Sequence, residues 1–243
     1  MRLDRFVCKS TELSKHDAVQ LIHQGNVSVN GMVVDNEAVQ IHENNDIILN
    51  GQQLVARPFR YLLINKPSNT LCSNADGVYP SLFSLLKMAR LSELHIAGRL
   101  DADTTGLVLI TDDGRWTFNI TSPAKQCCKV YRVTLAKPLG DDVAKRFQQG
   151  ISLQGEPRLT LPAQLHVITP SEVLLTLTEG KFHQVKRMFA AVGNKVLSLH
   201  RESIGAINLD VGLGQWRYLT AVEISSFGDE CLFSDVAPQA DNR

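Results

Sequence analysis

The chain has 243 residues, enough for one sizeable core and a small accessory domain, since domains commonly run to about 100–200 residues. With 44% hydrophobic and 21% charged residues, the composition is that of a globular protein and excludes disordered and collagen-like classes. The formal net charge of zero conceals a division: residues 1–57 carry five Lys/Arg against seven Asp/Glu, residues 61–228 eighteen against fourteen, and residues 229–243 one against four. A nucleic-acid partner would therefore be met by local basic patches, not by overall charge.

The start, Met1-Arg2-Leu3-Asp4-Arg5, interleaves acid and base with no apolar stretch behind it, which predicts neither a secretory signal nor a membrane span and points to the cytoplasm. The five cysteines (Cys8, Cys72, Cys127, Cys128, Cys231) are odd in number and lack Cys-x-x-Cys spacing. They read as reduced thiols in packing roles, not as a disulfide framework or zinc site.

The first segment reads as helix, helix, then paired strands. Ser14 followed by Asp17 resembles a capping box, Ala18, Leu21 and Ile22 recur at helical spacing, and Gly25 supplies a stop, which predicts a helix over 15–24. Asn30-Gly31 between Val27-Ser28-Val29 and Met32-Val33-Val34 is a strong hairpin signal, and Asn50-Gly51 repeats it after Ile47-Ile48-Leu49. A compact module is expected to end near residue 53.

Residues 54–60, with Arg57-Pro58, read as a linker, and a strand at Tyr61-Leu62-Leu63-Ile64 opens a larger domain. Strands are expected near 107–111, 129–135, 163–168, 172–178 and 195–200, and helices near 141–149 and 182–192. Several strands follow one another without a helix between them, which favours an α+β fold with a largely antiparallel mixed sheet flanked by helices. The expected domains are 1–57 with its linker, 58–228, and an acidic tail over 229–243 expected to fray.

Three stretches carry candidate chemistry. The first is His95-Ile96-Ala97-Gly98-Arg99-Leu100-Asp101-Ala102-Asp103-Thr104-Thr105-Gly106, ahead of the apolar Leu107-Val108-Leu109-Ile110. It reads as a loop held rigidly at the edge of a sheet, a common location for catalytic groups, with Asp101 as candidate nucleophile or base. Taken alone, the loop favours a plainer reading in which Asp101 and Asp103 close a turn through backbone amides. The second, Glu179-Gly180-Lys181-Phe182-His183-Gln184-Val185-Lys186-Arg187-Met188-Phe189, opens a helix whose apolar face is expected to be Phe182, Val185, Met188, Phe189 and Val192. His183, Lys186 and Arg187 then share the opposite face near the helix start, suited to phosphate or a buried carboxylate, or simply solvated. The third is the alternating strand Lys129-Val130-Tyr131-Arg132-Val133-Thr134-Leu135, which turns Tyr131 inward with apolar neighbours. Tyr131 is there either a core residue or a group that stacks on a base or carries a proton.

Together, Gly-Arg-Leu-Asp-x-Asp-Thr-Thr-Gly-Leu, Lys-x-Tyr-x-Val and Glu-Gly-x-x-His-Gln-Val-Lys-Arg-Met, in that order, resemble the motifs of the RsuA branch of the pseudouridine synthases. Asn65-Lys66-Pro67, the run Phe189-Ala190-Ala191-Val192-Gly193-Asn194 and His200-Arg201-Glu202 extend the likeness over most of the chain. Residues 1–53 separately resemble the RNA-binding module first seen in ribosomal protein S4, through Arg2-Leu3-Asp4-Arg5-Phe6, Ser14-Lys15 and Gly25-x-Val27-x-Val29-Asn30-Gly31. That second resemblance implies phosphate contacts from Arg2, Arg5 and Lys15, with Lys9 and His16 as further candidates.

The first resemblance implies a catalytic Asp101, an active-site aromatic in Tyr131 and a basic partner to the aspartate in Lys186, with Arg99, His183 and Arg187 toward the RNA. Arg99 is open to three readings: occupying the space of a flipped base, holding a phosphate, or forming a structural ion pair. The implied substrate is a specific uridine in small-subunit ribosomal RNA or an assembly intermediate, flipped out of its stack, and the implied form is a monomer without membrane contact. The isomerisation loses no atom, so no cofactor and no metal are expected, in keeping with the lack of a glycine-rich nucleotide loop or clustered His/Cys ligands.

Three other readings are open. Asp101-Ala102-Asp103-Thr104-Thr105 superficially matches the Asp-x-Asp-x-Thr signature of magnesium-dependent dehalogenase-type phosphatases, which needs a buried parallel strand ahead of it. A related synthase acting on large-subunit RNA and a catalytically silent RNA-binding assembly factor are the alternatives within the resemblance.

Overall fold

In the computed structural model, which describes residues 1–42 and 44–227, the chain divides into two compact units, residues 1–59 and residues from Arg60 onward. The expected acidic tail over 229–243 lies outside the described residues.

In the first unit, α1 (Leu3–Ser10) and α2 (Lys15–His23) lie against a small antiparallel sheet. The Ser14 hydroxyl accepts the Asp17 N–H and starts α2, and Gly25, with φ of +75°, follows its end. Strands β1 (Val27–Val29), β2 (Met32–Val33), β3 (Ile47–Leu49) and β4 (Gln52–Gln53) pair in the order β2-β1-β3-β4. Both hairpin turns are Asn-Gly with positive φ at each residue (51° and 80°, 50° and 81°), the geometry that matches strand twist. Leu3, Val7, Ala18, Ile22, Val27 and Ile47 form the core of this unit. Residues beyond β4 remain packed on it: Arg57 donates to the carbonyls of Thr11 and Cys8, and Lys9 lies over the Phe59 ring at 3.9 Å.

The second unit is built on β5 (Tyr61–Lys66), β6 (His95–Ala97), β7 (Thr105–Thr111), α3 (Gly114–Thr121), β8 (Lys129–Leu135), α4 (Val143–Gln149), β9 (Gln164–Thr169), β10 (Glu172–Leu177), α5 (Gln184–Ala191), β11 (Val196–Ile204), β12 (Ile207–Asn208), β13 (Trp216–Tyr218) and α6 (Ala221–Ser225). Among the described residues these strands form one nine-stranded sheet with the central order β13-β5-β7-β11-β8-β10-β9. All its pairings are antiparallel except β7 with β11, so the α+β fold with a largely antiparallel sheet is the one observed.

The apolar patterns explain the layering. Strand β7 is buried on both faces: Leu107 and Leu109 meet Trp116 and Ile120 of α3, while Val108 and Ile110 meet Leu82, Phe83 and Leu94. Strand β8 alternates, and its inward Tyr131, Val133 and Leu135 pack against Phe147 of α4 and Val185, Met188 and Phe189 of α5. Strand β9 sits at the edge and is largely exposed.

Strands β7 and β11 pair at only two positions, His200 with Thr105 and Arg201 with Gly106. A Cβ on Gly106 would fall 2.3 Å from the Arg201 carbonyl oxygen, so only glycine permits this approach. Beyond it the strands diverge, and β6 covers the other end of β7.

Several expectations need correction. His95–Ala97 is a strand, not loop, and the segment behind it leads into the middle of the sheet, not to its edge. The strand expected to end at 200 runs on to Ile204. Helix α3 is unannounced by its sequence, GRWTFNIT, which is rich in β-branched and aromatic residues; the Asp113 carboxylate, capping the N–H groups of Arg115 and Trp116, starts it. Finally, α5 begins at Gln184 and leaves Phe182 outside, 73% exposed, because His183 takes a left-handed conformation with φ of +49°. Among the described residues no helix is long and apolar enough to cross a membrane.

Candidate active site

The segment between β6 and β7 is gripped from beneath by two buried cations. Lys66, fully buried at the end of β5, donates to the carbonyls of Pro67 (3.0 Å), Ala102 (3.0 Å) and Thr104 (2.8 Å). Arg201, 1% exposed, donates to Gly98 O (2.7 Å), Leu107 O (2.7 Å) and the Tyr131 hydroxyl (3.4 Å). Burial pushes the Lys66 ammonium below its usual range, and three carbonyl dipoles replace the lost hydration. The Leu100 N–H donates to the buried Cys72 sulfur, and the Asn69 N–H to Ala102 O. With these carbonyls drawn inward, the loop backbone is rigid, and the Asp101 carboxylate is left at 28% exposure in an open cleft.

Helix α5 delivers the opposing charges. Lys186 Nζ lies 3.1 Å from Asp101 Oδ2 and 2.6 Å from Asp103 Oδ1, and His183 Nε2 lies 3.4 Å from Asp101 Oδ1. Burial lowers the affinity of Lys186 for its proton, but the hydrogen bonds with Asp103 and Asp101 outweigh this and raise it. The bond from Lys186 holds Asp103 below the ordinary carboxylate range. The turn before α5 is pinned by buried Glu179 and Gln184: Gln184 Nε2 donates to Glu179 Oε1 (2.7 Å), and Gln184 Oε1 accepts the Lys181 N–H (2.8 Å).

Asp101, Tyr131, Lys186, His183 and Arg99 all line the same cleft. Tyr131 is 8% exposed, and Arg99 is exposed and makes no ion pair among the described residues. Arg187 is engaged elsewhere, donating to Phe182 O and Gln154 O and pairing with Glu156 at 3.3 Å. In the first unit Arg5 and Lys15 are exposed, whereas Arg2 pairs with Asp4 (3.0 Å) and Glu37 (3.7 Å). Lys9, packed over the Phe59 ring, is buried and unsuited to the phosphate contact expected of it.

Sequence patterns assign no role to Lys66, Arg201 or Thr104. Thr104, 1% exposed on the cleft lining, has a hydroxyl without a partner among the described residues. Strand alternation does mark Arg201: with Leu199 and Ser203 it lies on the inward face of β11, but the strand expected over 195–200 stops one residue short. The Asp-x-Asp-x-Thr reading loses its structural basis, because the strand ahead of Asp101, β6, is short and pairs antiparallel with β7. Among the described residues no group of three His, Cys, Asp or Glu is arranged to hold a metal ion.

An RNA pseudouridylate synthase family profile matches residues 60–191, and an S4 domain profile matches residues 1–47. The chain is 49% identical over 228 residues to ribosomal small subunit pseudouridine synthase A of Vibrio cholerae, covering 93% of this chain and 99% of that one. It is 47% identical over 229 residues to the Escherichia coli protein of the same name, with the same coverage. A solved pseudouridylate synthase crystal structure superposes with a TM-score of 0.69 at 42% identity, covering 93% of this chain and 99% of that one.

Proposed function

Since the chain belongs to the RNA pseudouridylate synthase family, we propose that it isomerises a specific uridine of small-subunit ribosomal RNA to pseudouridine, with Asp101 acting on the ribose. The choice of small-subunit RNA, free or in an assembly intermediate, is supported by the names of relatives 47–49% identical over 93% of the chain. A ribosomal RNA substrate supports a cytoplasmic enzyme, and a monomer is the form taken for it here.

The observation that carries the assignment of Asp101 is its pairing with Lys186 at 3.1 Å in an open cleft beside Tyr131. In the isomerisation the bond between ribose C1′ and uracil N1 breaks, the base turns, and C1′ bonds to C5; C5 loses a proton and N1 gains one. Attack on C1′ and removal of the C2′ proton are two routes that both require an ionised carboxylate, and the Lys186 ammonium lies 3.1 Å from Asp101 Oδ2. Among the described residues the nearest partner of Asp101 Oδ1 is His183 at 3.4 Å, and the Asp101 side chain is 28% exposed on the cleft, which supports its approach to a ribose. Tyr131 lines the cleft, where a flipped uracil can stack. Exposed Arg99 is assigned to a phosphate or to the space vacated by the base, and exposed Arg5 and Lys15 to phosphates.

RNA transcribed with tritium at uridine C5 tests the reading, because pseudouridine formation displaces that tritium. Wild-type protein should release it from small-subunit RNA, and Asp101→Asn should not. Release from large-subunit RNA alone would move the substrate, and equal release by Asp101→Asn would remove the aspartate from the mechanism.

A further inference from the structure

Phe182 is an apolar ring held outward where folding gives no reason for one. It is 73% exposed, and its ring lies nearly parallel to that of His183, with centroids 3.7 Å apart and planes at 21°. His183 in turn lies 3.4 Å from the Asp101 carboxylate, so the aromatic pair forms a step beside the cleft.

The turn that projects Phe182 is restrained on every side. His183 adopts φ of +49°, a left-handed conformation that costs a non-glycine residue about 1–3 kcal/mol. Arg187 donates to the Phe182 carbonyl at 3.0 Å, and Gln184 accepts the Lys181 N–H at 2.8 Å. A polar side chain would satisfy the same backbone and lie more comfortably in water.

We propose that Phe182, backed by His183, is a stacking subsite for an unpaired nucleobase adjacent to the uridine held at Asp101. The inference rests on the reading of the cleft as a uridine site. Flipping one nucleotide out of a stack leaves its neighbour with an uncovered face, and a flat, pre-stacked aromatic pair meets that face at little entropic cost. Exposed Arg99 at the cleft lining, which makes no ion pair among the described residues, brings positive charge for a backbone beside that base.

Phe182→Ala and Phe182→Trp in the full chain, assayed by tritium release from small-subunit RNA, test the subsite. A stacked base contributes about 1–3 kcal/mol, so Phe182→Ala should raise KM roughly 5- to 150-fold with kcat within about twofold, and Phe182→Trp should restore KM. Replacing a nucleotide flanking the modified uridine by an abasic one should weaken wild-type binding by a similar factor at one flank and leave Phe182→Ala unaffected there. Wild-type KM in a Phe182→Ala protein with unaltered melting overturns the proposal, as does full additivity of the abasic and Ala losses. A defect seen on ribonucleoprotein particles but not on naked RNA overturns it too, in favour of a protein contact. Quenching of the added indole in Phe182→Trp, measured against wild type, should occur with unpaired RNA and not with duplex. That readout needs no turnover, so it judges the stack separately from the isomerase reading.

Discussion

The Lys186 ammonium donates its shorter hydrogen bond, 2.6 Å, to the exposed Asp103 and its longer one, 3.1 Å, to Asp101. One cation thus serves two carboxylates of a single loop, and the one facing the cleft keeps the looser contact. Lys186→Met should lower kcat for tritium release by about 10²–10³-fold with a smaller change in KM, because the charge it supplies acts where charge develops. Asp103→Asn leaves the Lys186–Asp101 contact in place and should retain activity within a few-fold. Equal losses in both variants would mean that the lysine only holds the loop.

Removing Arg201 should injure the fold before it injures the chemistry. Its guanidinium donates to Leu107 O in the core and to the partly buried Gly98 O, and Arg201→Met would take that donor from both carbonyls. The expected loss is about 2–4 kcal/mol, a fall in Tm of roughly 4–16 °C. Arg201→Lys keeps the charge without the planar fork and should lie between the two. An unchanged melting curve for Arg201→Met would contradict the clamp.

Thr104 presents the opposite case. Its buried hydroxyl has no partner among the described residues, so Thr104→Val, which preserves shape, should stabilise the protein by about 1 kcal/mol. Thermal melting would register a rise of roughly 2–4 °C, and a fall would reveal a partner for the hydroxyl.

Acid should weaken the anchorage of α6. Arg217 grips Glu223 through its two terminal guanidinium nitrogens (2.8 and 2.6 Å), and with the Thr220 capping bonds this takes the Glu223 carboxyl down to about 2 from 4.5. A folded value below the unfolded one stabilises above the unfolded pKa and is lost as pH falls through the folded one. The difference in Tm between wild type and Glu223→Gln should therefore be constant from neutral pH to about 4.5 and vanish near pH 2. A difference that persists at pH 2 would assign it to something other than ionisation.

Phosphate binding by the first unit can be read from salt dependence. Replacing exposed Arg5 and Lys15 by Ala should weaken binding uniformly across RNA sequences and reduce the slope of log K against log salt by about 2, one for each cation removed from the backbone. An unaltered slope would remove both residues from the RNA interface.

Local signals carry much of this protein. Two Asn-Gly turns, the Ser14 cap and the alternation from Lys129 to Leu135 act between residues close in sequence, so hairpins, α2 and the inward side of Tyr131 are legible without a structure. The ordered motifs likewise bring Asp101, Tyr131 and Lys186 into view. What tertiary structure alone decides are the long-range terms. Lys66 and Arg201 stand in the sequence only within runs that extend the family likeness; their burial is decided by loop and strand carbonyls from elsewhere in the chain, because a buried charge is tolerated only where distant dipoles converge. Phe182 reads as one more apolar residue on a helix face; a single left-handed residue after it turns the ring into solvent, a choice of backbone conformation that hydrophobic periodicity does not encode.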